Sequence, residues 1–151
     1  MRQIIMMVLA ALISFSGSAS AQQSSKVEFM NSGTVTPNTL PFSEAVRVND
    51  TVYLSGMIGN LPGTLKLAPG GIREETRQVM ENIKAVLGAH GYTLKNLVKC
   101  TVMLADISEW PAFNEVYKTY FEPPFPARSA FAGSGLAMGA RVEVECIAVV
   151  R

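Results

Sequence analysis

The sequence predicts an α+β domain in which two helices cover one face of a single sheet. Three observations carry this. The apolar period switches from 2 to about 3.6 and back twice, which gives the order β-β-α-β-α-β-β. Val142, Val144, Cys146 and Ala148 alternate with Arg141, Glu143 and Glu145 across the last strand, so one sheet face is apolar and the other polar. Two stretches carry apolar stripes at helical spacing, enough to cover one face only.

Residues 22 to about 38 are polar and rich in Ser, Thr and Asn, as in a mobile arm or an irregular edge strand. Ala45–Val48 and Thr51–Gly56 flank Asn49-Asp50, so β-formers bracket a two-residue hairpin turn. Gly56 and then Gly59-Asn60-Leu61-Pro62-Gly63 end the second strand in a loop. Gly70-Gly71 precedes the first helix, and Glu74 and Glu75 suit its positive N-terminus. Ile72, Thr76, Val79, Ile83, Val86 and Leu87 form its core face, and Gly91 stands where a C-terminal cap belongs. His90, beside that cap, belongs to capping or to solvent.

The third strand is Val98–Leu104, with Val98, Cys100, Val102 and Leu104 on one face. Asp106 to Ser108 offer N-caps for the second helix, which tolerates Pro111 only in its first turn. Phe113, Val116, Tyr117, Tyr120 and Phe121 give that helix an aromatic core stripe. Pro123-Pro124 ends it. The polar sheet face carrying Glu143 either meets water or is covered by another subunit.

Met1-Arg2, the apolar run Ile4–Phe15 and Ala19-Ser20-Ala21 follow the order of a cleavable export signal. Residues 1–21 are therefore expected to be a signal peptide, 22–38 an N-terminal arm and 39–151 the folded domain. The expected location is periplasmic or secreted. The run is too short to span a bilayer comfortably and no second one follows, so no membrane anchor is expected. The chain has 13 basic and 12 acidic residues, and Arg2 lies in the expected leader, so the mature protein is neutral. With no basic run, nucleic acid is not the expected partner. One histidine and no close acid cluster argue against a metal site. Cys100 and Cys146 fall on the apolar phase of their strands. Buried free thiols are the plain reading and a disulfide the alternative.

The chemistry concentrates in Phe125-Pro126-Ala127-Arg128-Ser129 and Val142-Glu143-Val144-Glu145. Pro126 rigidifies the entry to a strand that begins with Arg128, whose planar guanidinium suits two-pronged recognition of a carboxylate. Glu143 is expected on the neighbouring strand, where a carboxylate beside water acts as a base. The plainer reading of Arg128 is a solvated surface arginine.

Six segments occur together in register: Pro41-Phe42-Ser43-x-Ala45-Val46, Leu54-Ser55-Gly56, Gly70-Gly71-Ile72, Asn114-x-x-Tyr117, Pro126-Ala127-Arg128-Ser129 and Val142-Glu143-Val144-Glu145-x-Ile147-Ala148. Their order resembles that of the RidA (YjgF/YER057c/UK114) family from about Pro41 to the C-terminus. The resemblance implies a chorismate-mutase-like α+β fold, a homotrimer with ligand pockets between subunits, and hydrolysis of reactive 2-imino acids to 2-oxo acids and ammonia without cofactor or metal. It implies that Arg128 holds the substrate carboxylate and Glu143 places the attacking water. Ser55 and Gly56 would form the pocket floor, with Asn114 near it and Phe42 and Ala130 lining it. Phe42 stands where tyrosine is common, Met57 where glutamine is, Ala130 where cysteine or threonine is, and Ala137-Met138 where Leu-Pro is. These departures make the pocket more apolar. The alternatives are a trimeric carboxylate-binding or sensing protein with little turnover and, against the neutral charge, a ribonuclease or translation inhibitor.

Overall fold

The computed structural model describes residues 25–150; the expected signal peptide lies outside them. The described chain is an α+β layer, with one sheet and two helices on the same face. The strands are β1 (Val27–Met30), β2 (Ala45–Val48), β3 (Thr51–Leu54), β4 (Met57–Ile58), β5 (Leu97–Leu104), β6 (Ala127–Ala132) and β7 (Val142–Val149). The helices are α1 (Ile72–Ala89), between β4 and β5, and α2 (Trp110–Tyr117), between β5 and β6. The sheet order is β1-β2-β3-β7-β5-β6, and β4 pairs with β7 just past the end of β3.

The predicted hairpin forms β2 and β3, with Asn49 in the left-handed region at φ 54°. α1 ends where Gly91 turns left-handed at φ 80°, and the Tyr92 N–H donates back to the Leu87 carbonyl at 2.8 Å. Of the two readings of the polar arm, the edge strand is the one that forms: β1 lies within it at the margin of the sheet and pairs antiparallel with β2. One strand exceeds the sequence expectation. β4 is a two-residue strand in the expected loop, held only by β7.

The crossover through α2 lays β6 parallel to β5, and β7 returns antiparallel on the other side of β5. This corrects the expectation that Arg128 and Glu143 share neighbouring strands, since β5 stands between them. The core lies between the sheet and the helices. Val52, Leu54, Val102, Leu104, Val142 and Val144 meet Val79, Ile83 and Leu87 of α1 and Phe113 and Tyr117 of α2.

Val98 is also corrected. Between Leu97 and Lys99 the register slips by one residue against β7, a bulge that turns Val98 outward to 44% exposure and buries Leu97 in its place. Beyond the bulge Cys100 sits directly opposite Cys146, with Cα atoms 4.1 Å apart, and the two form a disulfide beneath the helices. The free-thiol reading is therefore wrong. Both cysteines are core residues, as expected, and the antiparallel register sets them face to face.

Candidate functional site

Arg128 is the second residue of β6, an edge strand. Its register partner is Cys100, so its side chain leaves the sheet on the helix-covered side. There the guanidinium carbon lies 4.4 Å from the Trp110 ring centroid, 4.6 Å from that of Tyr117 and 5.8 Å from that of Phe113. The three rings follow one another along α2, with Trp110 and Phe113 stacked at 5.5 Å and Phe113 and Tyr117 at 5.3 Å. Their faces attract and orient the cation. Among the described residues no carboxylate pairs with Arg128. Burial lowers its pKa, the Tyr117 phenol opposing this, and burial raises that phenol in turn. Arg128, Ser129, Ala130, Trp110 and Ile107 line an open concavity of about 440 Å³. Asn114 lies four residues after Trp110 and three before Tyr117, on the same helical face. The result is an oriented cation, unpaired among the described residues, lining an open concavity, an arrangement whose chemistry suits an anion.

Glu143 is the second residue of β7. Its neighbours Val142 and Val144 are buried under the helices, so Glu143 projects from the other face of the sheet. Its carboxylate lies over Gly56: a Cβ built there would stand 2.0 Å from Glu143 Oε1. The break between β3 and β4 at Ser55-Gly56 makes room for that carboxylate against bare backbone. Burial and then the like charge of Glu145 raise the Glu143 pKa above the ordinary carboxylate value. Phe42, Ser55, Gly56 and Glu143 line one concavity of about 360 Å³, together with Met57 and Met138.

Its rim is firmly held. The Ser55 hydroxyl donates to the Ser43 carbonyl at 2.7 Å, which ties the Phe42 segment to the end of β3. Glu44, only 2% exposed, accepts from the Ser32 N–H at 2.7 Å and the Ser32 hydroxyl at 2.6 Å. Burial alone would raise its carboxyl, but the hydrogen bonds from Ser32 and Thr36 outweigh burial and hold it below its usual value. The Glu75 carboxylate accepts from the Arg141 N–H at 2.8 Å and fixes the entry to β7.

Phe42, Ser55, Gly56 and Glu143 are thus together, as are Arg128, Ala130 and, by helical position, Asn114. Within one chain the two groups occupy opposite faces of the sheet. Each is half of the site expected from sequence. Trp110 and Glu44 were not singled out in the sequence, and Glu75 was read only as a helix N-terminal charge. A single tryptophan three residues before the aromatic stripe was the one available signal for the platform under Arg128.

The family described as Endoribonuclease L-PSP matches residues 34–150. A goat protein (Capra hircus) named 2-iminobutanoate/2-iminopropanoate deaminase is 49% identical over 109 residues, which are 72% of this chain and 80% of that one. An Arabidopsis thaliana protein named Reactive Intermediate Deaminase A, chloroplastic, is 39% identical over 110 residues, 73% of this chain and 59% of its own. Among solved structures, E. coli TdcF with bound serine superposes with a TM-score of 0.75 at 28% identity, over 82% of this chain and 99% of that one. These relatives correct the expected location. Animals and plants have no periplasm and the Arabidopsis protein is chloroplastic, so a periplasmic or secreted location is not upheld. With the match running through β2–β7 and both half-sites on a chorismate-mutase-like layer, this chain belongs to the Endoribonuclease L-PSP family, that of the RidA (YjgF/UK114) proteins.

Proposed function

We propose that this protein hydrolyses reactive 2-imino acids to 2-oxo acids and ammonia, in sites formed between neighbouring copies of the chain in a homotrimer. The carrying observation is Arg128, an oriented, half-buried guanidinium with no carboxylate partner among the described residues. Because Glu143 leaves the opposite face of the sheet, a second copy is needed to bring an acid to that cation. The goat relative's name supplies the substrate class, and the serine held by TdcF is, like an imino acid, a small carboxylate bearing nitrogen on its α-carbon.

In this reading Arg128 grips the substrate carboxylate through two parallel hydrogen bonds and fixes the imine carbon in place. Asn114 and Ala130 flank that clamp, while Phe42, Ser55 and Gly56 floor the other half. Glu143, ionised, takes a proton from water as the water oxygen bonds to the carbon of the protonated imine, C=NH2+, and the C=N π electrons move to nitrogen. Glu143 then returns that proton to the amine of the tetrahedral intermediate. The C–N bond breaks as the hydroxyl oxygen gives up its proton and forms C=O. Ammonia leaves and takes up the released proton as ammonium. An iminium carbon is already electrophilic and no electrons change hands, so a clamp and a base are sufficient machinery.

The test is release of ammonia and 2-oxo acid from imines generated in situ, with and without the protein. Acceleration is the expected result. The bound serine in TdcF also favours a second reading, a carboxylate-binding protein with little turnover. Saturable 2-oxo-acid binding without acceleration would select that one. An RNA-cleavage control addresses the activity in the family's description, and cleavage without imine hydrolysis would overturn both readings.

A further inference from the structure

The concavity beside Glu143 is larger and drier than hydrolysis alone requires. Its walls are Leu40, Phe42, Ile58, Leu65, Ala137 and Met138. The polar side chains among its lining are already engaged. The Ser55 hydroxyl donates to Ser43, the Asn60 amide to the Thr64 carbonyl at 3.0 Å, and the Thr36 hydroxyl to Glu44 at 3.3 Å. Glu143 is the one lining side chain with an unengaged polar group among the described residues. A polar substrate side chain entering here would lose water and find no partner.

Size points the same way. At roughly 30 Å³ per water, the concavity of about 360 Å³ holds far more than a methyl or ethyl group. Phe42, Leu65 and Met138 are 49%, 45% and 60% exposed, so three large apolar side chains converge on one opening. Met138 is also held in the left-handed region, at φ 58° and ψ 12°, in the turn just before β7. A non-glycine residue in that region is uncommon and costs free energy, and such strain collects at ligand-binding positions. Its neighbours are fixed too, by the Glu75 contact to Arg141 and by Asn82, which donates to the carbonyls of Ile58 and Asn60 at 3.1 and 2.9 Å.

We propose that this concavity is the side-chain subsite of the imine site and selects 2-imino acids with branched or long apolar side chains over the methyl analogue, Phe42, Leu65 and Met138 setting the preference. The inference rests on the imine-hydrolysis reading. Glu143 lines the same concavity as these apolar walls, so a carbon attacked by water beside Glu143 presents its substituent to them.

The experiment compares kcat/KM for imines generated from leucine and from alanine, in the wild type, Met138→Asn and Leu65→Asn. Asparagine tolerates the left-handed backbone at 138, so that variant changes the wall and not the turn. The wild type should favour the leucine-derived imine about tenfold or more, the scale on which apolar pockets discriminate added methylenes. That ratio should fall severalfold in each variant. Equal rates on both imines, or a ratio unmoved by both substitutions, would overturn the subsite and leave imine hydrolysis standing. Calorimetric binding of 4-methyl-2-oxopentanoate and pyruvate separates the two claims. Tighter binding of the branched acid, lost in Met138→Asn, supports the subsite even if no imine is hydrolysed. Light scattering completes the set: variants that change oligomer mass and not the ratio would show the groove to be a contact between chains, and the subsite would be wrong.

Discussion

At the residue scale, the proposed mechanism gives binding to Arg128 and chemistry to Glu143, so their variants should fail differently. Arg128→Ala should cost about 2–4 kcal/mol in kcat/KM, the range for losing a charged or oxyanion-type contact. Arg128→Lys should recover little, because an ammonium offers neither the two-pronged geometry nor the flat face that lies against Trp110 and Tyr117. Wild-type rates in Arg128→Ala would remove the clamp from the mechanism. Glu143→Gln should lower kcat by roughly 10²–10⁴ and spare the affinity for an unreactive 2-oxo acid. Glu143 must be ionised to accept a proton, and burial followed by Glu145 raises its pKa. Activity should therefore fall on acidification from a higher pH than an ordinary carboxylate, near ~4.3, would give. Glu145→Gln removes the repulsive contribution and should move that acid limb to lower pH. An unmoved limb in the pH–rate profile would mean that another group titrates.

At the element scale, the β5–β7 ladder carries both the disulfide and the offset that the sequence hides. Cys100 and Cys146 are separated by 46 residues, and cross-linking a loop of that size stabilises by about 4 kcal/mol on the chain-entropy account. A Cys100→Ala/Cys146→Ala protein should lose about that much unfolding free energy, read as a lower denaturant midpoint, with kcat/KM unchanged since neither sulfur has a place in the proposed chemistry. Equal midpoints would show that the bridge contributes nothing. Tyr120 and Phe121 lie past the end of α2, in a 3-10 turn and the extended residue after it. The faces of β7, the α1 stripe and the α2 stripe as far as Tyr117 were legible because regular periods of 2 and 3.6 govern them. Val98 was not, because a bulge breaks the period and the sequence carries no mark of the extra residue. β4 was hidden for another reason: its pairing comes from β7, not from any alternation of its own, and for β1 the sequence left an edge strand and a mobile arm equally open.

At the scale of the whole molecule, the two half-sites make a stoichiometric prediction. Light scattering should give about three chain masses if copies close into a ring. Mixing Arg128→Ala with Glu143→Gln, each nearly inactive, and reassembling the subunits should restore activity. A site between chains is intact only when Arg128 comes from one variant and Glu143 from the other, so random mixing gives roughly one quarter of wild-type activity. Recovery no greater than the sum of the parents would place both groups in one chain's site. Arg128, Glu143, Ser55 and Gly56 could be named from sequence, but Trp110 could not, and neither could the placing of the two groups on opposite faces of the sheet. The face Arg128 leaves is set by its register opposite Cys100 on β5, and that pairing is a property of the assembled sheet rather than of any segment.

The platform beneath Arg128 also has an optical consequence. Trp110 is the only tryptophan in the chain, and its ring lies 4.4 Å from the guanidinium carbon. Indole emission responds to nearby charge, and a carboxylate arriving at Arg128 changes the local field at that one fluorophore. The protein thus carries its own unlabelled reporter of occupancy. Titrating pyruvate should shift its intrinsic emission to saturation, and Arg128→Ala should leave the spectrum flat; a wild-type spectrum that stays flat while calorimetry registers binding would place the carboxylate elsewhere.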